Sequence, residues 1–184
     1  EGRMVLELDT AQPAPAAEQA GAAGQAGAGA VDAVAGQADA AAAARHAALA
    51  ALAPLNGQIS KLWFGSSSGE VLPLQAADIR ALGQGLGSSL KSLDLEKVSL
   101  APDAWGALLP SFPALTTLSL VYQQQLDHGA LALFCTLNAA RPLALDFWEP
   151  SSEVEQAVES ARTLLAAQGV VSRVALTITK EKPE

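Results

Sequence analysis

Two stretches of the chain share one form. They are Leu90-Lys91-Ser92-Leu93-Asp94-Leu95 and Leu115-Thr116-Thr117-Leu118-Ser119-Leu120, both L-x-x-L-x-L, and they begin 25 residues apart. Leucine at alternate positions predicts a strand with one apolar face. Pro102 to Phe112, between them, predicts a helix, with Pro102 in the first turn where a missing N–H costs least. One strand and one helix cannot close a core, but stacked units of this kind can. A fixed period of strand and helix therefore predicts an array of α/β repeats.

The rest of the chain extends the pattern. The fourth position of each unit falls at Leu62, Leu93, Leu118, Leu143 and Val174, at intervals of 31, 25, 25 and 31, and Leu6 lies 56 residues before Leu62. Strands are expected near 4–8, 59–64, 90–95, 115–120, 142–147 and 170–178. Helices are expected over 75–86, 102–112, 127–139 and from Ser151 or Ser152 to about 168. Their apolar stripes are Ile79, Leu82 and Leu86; then Leu131, Phe134 and Leu137; then Val154, Val158, Ala161, Leu164 and Leu165. Residues 11–30 are Ala, Gly, Gln and Pro and read as a low-complexity insertion. Residues 31–53 read as an Ala-rich helix with a shallow apolar face, ending before Pro54. Residues 179–184 read as a polar tail. All of this fits one domain over 1–184. The strand at 4–8 has no cap before it, and further repeats are expected upstream.

At this point the chain resembles the leucine-rich-repeat family, whose units follow L-x-x-L-x-L-x-x-N-x-L. The best unit is Leu90, Leu93, Leu95, Val98 and Leu100. The helices between strands resemble the ribonuclease-inhibitor type. The resemblance covers 57–178 well and 1–56 poorly. It implies a short α/β solenoid, a horseshoe with parallel strands on the concave face and helices on the convex face. It also implies a binding module rather than an enzyme. The family's Asn position is filled by Val98, Gln123 and Trp148, so its hydrogen-bond ladder is absent or replaced.

If the leucines point inward, their alternate neighbours line the open face. One row is then Val5, Lys61, Ser92, Thr117, Pro142 and Arg173. The next is Glu7, Trp63, Asp94, Ser119, Ala144 and Ala175, and the third Asp9, Gly65, Glu96, Val121, Asp146 and Thr177. Lys61, Trp63, Ser92, Asp94, Glu96, Thr117, Ser119, Val121, Asp146 and Arg173 are the candidate partner-binding residues. Exposed Trp63 among acids and hydroxyls is a typical anchor for a protein segment of basic or mixed charge. The plainer alternative is a solvated face without a partner. A second functional reading is a structural subunit of a large assembly. A third is a small doubly wound α/β enzyme, which requires strands apolar on both faces; Asp94, Ser119 and Asp146 argue against it.

Charge and composition narrow the classes further. The net charge is −8, which lacks the basic footprint of a nucleic-acid binder. The longest Ala-rich run is broken by Arg45 and His46, so membrane insertion is not expected. One cysteine and no secretory signal point to an intracellular, most naturally cytoplasmic, location. No cofactor, metal site or catalytic group is expected. Gly83-Gln84-Gly85-Leu86-Gly87 closes a helix rather than opening one, the wrong order for a nucleotide loop. Gly65 to Gly69 is better placed but lacks the lysine of a P-loop. Cys135, His46 and His128 have no companions at metal or catalytic spacing. Trp105 and Phe112 read as packing residues, and Trp148 fits either role.

Overall fold

The computed structural model describes residues 2–8, 43, 45–49, 51–55, 57–66 and 71–180. Its strands are β1 (Gly2–Leu8), β2 (Ile59–Ser66), β3 (Leu72–Leu74), β4 (Ser92–Glu96), β5 (Val98–Leu100), β6 (Thr117–Val121), β7 (Leu143–Trp148) and β8 (Val174–Thr179). Its helices are α1 (Ala76–Leu86), α2 (Pro102–Ser111), α3 (His128–Leu137) and α4 (Ser152–Ala167). Residues 45–49 are helical too, ahead of a short 3-10 turn at Ala53–Leu55. The insertion expected at 11–30, most of the Ala-rich helix and residues 181–184 lie outside the described residues. Thr179, expected in the tail, closes β8.

The protein is α/β with a parallel main sheet in the order β1-β2-β4-β6-β7-β8. The strand order follows the chain without reversal, so the switch point of a doubly wound sheet is missing. Leu62, Phe64, Leu93, Leu95, Leu118, Leu120, Leu145 and Phe147 point to one side and are at most 1% exposed. They share one core cluster with Ile79 and Leu82 of α1, Trp105 and Leu108 of α2, Leu131 and Phe134 of α3, and Val154 and Val158 of α4. Each such side chain contributes about 1.5–3 kcal/mol by leaving water. The opposite side of the sheet carries the polar residues, as alternation requires.

The register differs from the one expected. Leu118 pairs with Leu145 rather than Leu143, and Leu62 pairs with Met4 rather than Leu6. Leu143 and Leu145 both face the core, so an even spacing of 25 selects the wrong one of two equivalent leucines. Pro142 and Arg173 consequently fall outside the strands. The position homologous to Val98 and Gln123 becomes Pro150 rather than Trp148.

A second, two-stranded parallel sheet, unforeseen, follows the main one. Leu72, Pro73 and Leu74 of β3 pair with Val98, Ser99 and Leu100 of β5. Gln123 is 4% exposed, and its side-chain amide donates to the Val98 carbonyl. Its own carbonyl accepts from Ser151 N. Gln123 thus links one turn to the backbone of the preceding one.

The ends of β4, β6 and β7 repeat one backbone device. Lys97, Tyr122 and Glu149 occupy equivalent positions and have φ of 52, 56 and 46°, the left-handed region. Their N–H groups donate to Val121, Trp148 and Thr179 at 3.0, 3.0 and 2.8 Å, one strand further on each time. Side chains of ordinary size are strained there by about 1–3 kcal/mol.

Close packing explains the glycine run. A Cβ on Gly83 would stand 2.5 Å from Ser111 Cβ, and one on Gly87 2.1 Å from Ser111 O. These glycines let the C-terminal ends of α1 and α2 touch. Arg141 closes the end of α2 by donating to the carbonyls of Leu109, Phe112, Pro113 and Leu115 at 2.7–3.1 Å. Burial lowers the pKa of its guanidinium. Asp78 caps α1 through Gln75 N at 3.0 Å and takes both arms of Arg45 at 3.0 Å. Leu49 is fully buried, so the residues expected to dock weakly are anchored by a leucine and an ion pair. Two expected core residues face out: Leu137 is 70% and Leu164 37% exposed.

Candidate functional site

The register builds the open face row by row. The first row is Lys61, Ser92, Thr117, Ala144 and Ala175. The second is Val5, Trp63, Asp94, Ser119, Asp146 and Thr177, and the third Gly65, Glu96, Val121, Trp148 and Thr179. The corrected register moves Asp146 beside Ser119, so Asp94 and Asp146 stand on either side of one hydroxyl. Arg173 does not join them. It is exposed, precedes β8, and its N–H donates to Ala139 O at 2.8 Å.

Trp63 lies along the sheet. Its Nε1 donates to Glu96 Oε2 at 3.1 Å. Gly65 makes this possible, because a Cβ there would come within 3.1 Å of the indole Cη2 and 3.0 Å of Glu96 O. Gly65, considered above as part of an anion loop, instead leaves room for an aromatic plate. Lys61 Nζ sits 3.4 Å from Asp94 Oδ2, with the lysine 47% and the aspartate 16% exposed. A pair this open to water is worth no more than about 1 kcal/mol.

Ser119 and Val121 were expected in the open and are each only 8% exposed. Taller neighbours overhang them: Asp94 and Asp146 flank Ser119, and Trp148 stands beside Val121. Asp146 is half-buried and makes no ion pair or side-chain hydrogen bond among the described residues. Ser92 and Thr117 are half-buried on the first row.

The rim beyond the third row adds residues that the spacing of leucines did not single out. Tyr122 sits where the chain leaves β6, and Glu149 where it leaves β7. The negative charge of Glu149 raises the Tyr122 pKa, with desolvation and the charge of Glu96 adding to it. Trp63, Tyr122 and Trp148 thus stand among Asp94, Glu96, Asp146 and Glu149. Only their position one step past each strand could have marked Tyr122 and Glu149 in the sequence, and that step is visible only once the register is known.

The reactive side chains considered above do not converge. Cys135 is fully buried in α3, and burial pushes its thiol up to about 11, which suppresses the thiolate. His128 opens the same helix at the surface, and His46 is exposed beside α1. Among the described residues no group of three acids, histidines or cysteines comes together in a way that could hold a metal ion. No described helix is long and apolar enough to cross a membrane. Comparison with models of known families, with curated proteins and with solved structures finds no match to this chain.

Proposed function

We propose that the chain is a short solenoid of leucine-rich-repeat type, acting as a non-enzymatic interaction module whose open sheet face takes a basic protein segment. Three features support the solenoid: strands in chain order, a residue of positive φ at the equivalent position after β4, β6 and β7, and Gln123 bridging successive turns. The row Trp63, Asp94, Ser119 and Asp146 carries the functional reading, because it couples a large aromatic plate to carboxylates on a face with no core role. Such faces favour partners of opposite charge and gain most of their affinity from aromatic anchors.

The test is a variant carrying Trp63→Ala, Asp94→Asn and Glu96→Gln together. Capture of partners from a native extract is expected to fall at least tenfold, while the unfolding free energy stays within about 1 kcal/mol of wild type. Undiminished capture sinks the reading.

A second reading, a structural subunit of an assembly, has one observation in its favour. A groove of about 610 Å³ between α2 and α3 is lined by Trp105, Pro110, Leu133, Phe134 and Leu137, on the side away from the open face. Leu133 and Leu137 are 58% and 70% exposed. Purification of the native chain only within a fixed stoichiometric complex would favour this reading over the first.

A further inference from the structure

At the centre of the open face one hydroxyl is walled in by two carboxylates. Asp94 on β4 and Asp146 on β7 both neighbour Ser119 on β6. Their Cα atoms are two strand spacings apart, about 10 Å. Ser119 is 8% exposed, and its side chain makes no hydrogen bond among the described residues. Its Oγ is not sealed in, since no described side-chain oxygen is both fully buried and unpartnered. The hydroxyl therefore forms the floor of a narrow slot, an acceptor waiting between two anions. The charges around it are Lys61, in contact with Asp94, and on the next row Glu96, which is turned away by its bond to Trp63.

Resting on the reading of this face as an interaction surface, we propose that the slot between Asp94 and Asp146 seats one arginine of the partner segment. The guanidinium would donate to both carboxylates and to Ser119 Oγ. A planar fork of five donors can serve all three acceptors at once, while an ammonium acts as a compact, strongly hydrated point charge. Trp148, one row on and one strand over, offers a flat apolar flank of the kind on which guanidinium stacks. Lys61 is the internal rival: it neutralises Asp94 from outside the slot, and its weak pairing lets a better-fitted cation displace it. The neighbouring carboxylates repel one another, so the empty slot is an electrostatic deficit that an incoming cation relieves.

The experiment titrates capped Gly/Ser peptides into the full chain by calorimetry. One peptide carries arginine at alternate positions, which puts the cations on one side of an extended strand. Others carry lysine or the neutral isostere citrulline there. The arginine peptide is expected to bind roughly tenfold tighter than the lysine peptide, and the citrulline peptide not at all; a factor of ten is about 1.4 kcal/mol. Asp146→Asn should remove most of that preference with the fold intact by circular dichroism. Lys61→Met should strengthen arginine binding two- to threefold, the opposite of what loss of a contact residue does. Equal binding of arginine and lysine peptides, or an Asp146→Asn variant that keeps the preference, overturns the slot and leaves the basic-partner reading standing. Absence of binding by every cationic peptide at millimolar concentration overturns both.

Discussion

Single residues decide how successive turns are joined. Gln123 is the clearest: Gln123→Ala leaves the Val98 carbonyl buried without its donor, and an unmade bond of that kind costs about 1–3 kcal/mol. Urea unfolding of that variant should show a lower midpoint at an unchanged slope. Asp127 governs an acid limb. Its side chain accepts from Ala130 N at 2.9 Å, and this backbone bond lowers its carboxyl below the usual range. A depressed folded-state pKa contributes stability that is present above the unfolded value, about 3.9, and lost as pH falls through the folded one. Melting temperature measured from pH 6 down to pH 2 should therefore decline less for Asp127→Ala than for wild type. Position 123 stands out in the sequence because it lies five residues past Leu118, as Val98 lies five past Leu93. The bond it makes is not legible there, because its acceptor, the Val98 carbonyl, lies 25 residues away in the chain.

At the scale of elements, spacing was legible where it was unambiguous. Leu62, Leu93 and Leu118 mark β2, β4 and β6 correctly, and each was read in its true pairing. Even spacing misplaces β7 by two residues, because two inward leucines compete there, and so separates Asp146 from Ser119. In α3 the stripe Leu131, Phe134 and Leu137 advances by threes, which falls behind the helical turn and rotates Leu137 into solvent. In α4 the true stripe is Val154, Val158, Ala161 and Leu165, at steps of four, three and four; Leu164 sits a residue off it. β3 and β5 are each only three residues long, too short for an alternating signal, and Pro73 further masks β3. Contact between α1 and α2 yields a sharp prediction. Gly83→Ala drives a methyl into Ser111 and should cost about 1–3 kcal/mol by overpacking. Gly106→Ala, with nothing within 4 Å of its Cβ position, serves as the control and should be neutral or stabilising in the same thermal melt.

Over the whole molecule, the sheet ends differently from how it runs. Among the described residues β8 has no strand on its outer side, and Leu176 and Ile178 are only partly buried there. Arg162 of α4 donates to Leu176 O at 2.7 Å, while Lys180 pairs with Glu155 at 3.2 Å. A charged side chain on an edge carbonyl hinders the addition of another strand, a common guard against edge-to-edge association. Nothing in the leucine pattern announces this, because Arg162 lies 14 residues from its acceptor and on a helix face that reads as solvated.

Lys97, Tyr122 and Glu149 have one more consequence. Glycine is the residue best suited to their backbone, yet the chain places a long side chain at all three. Replacing all three by glycine should raise the melting temperature, since about 1 kcal/mol or more of strain is relieved at each site and the loss of chain stiffness offsets only part of it. The sturdier protein would have a barer rim, without the phenol and carboxylate that now edge the face. Thermal hardiness and grip are set against each other at the same three corners, so selection for one alone would erode the other.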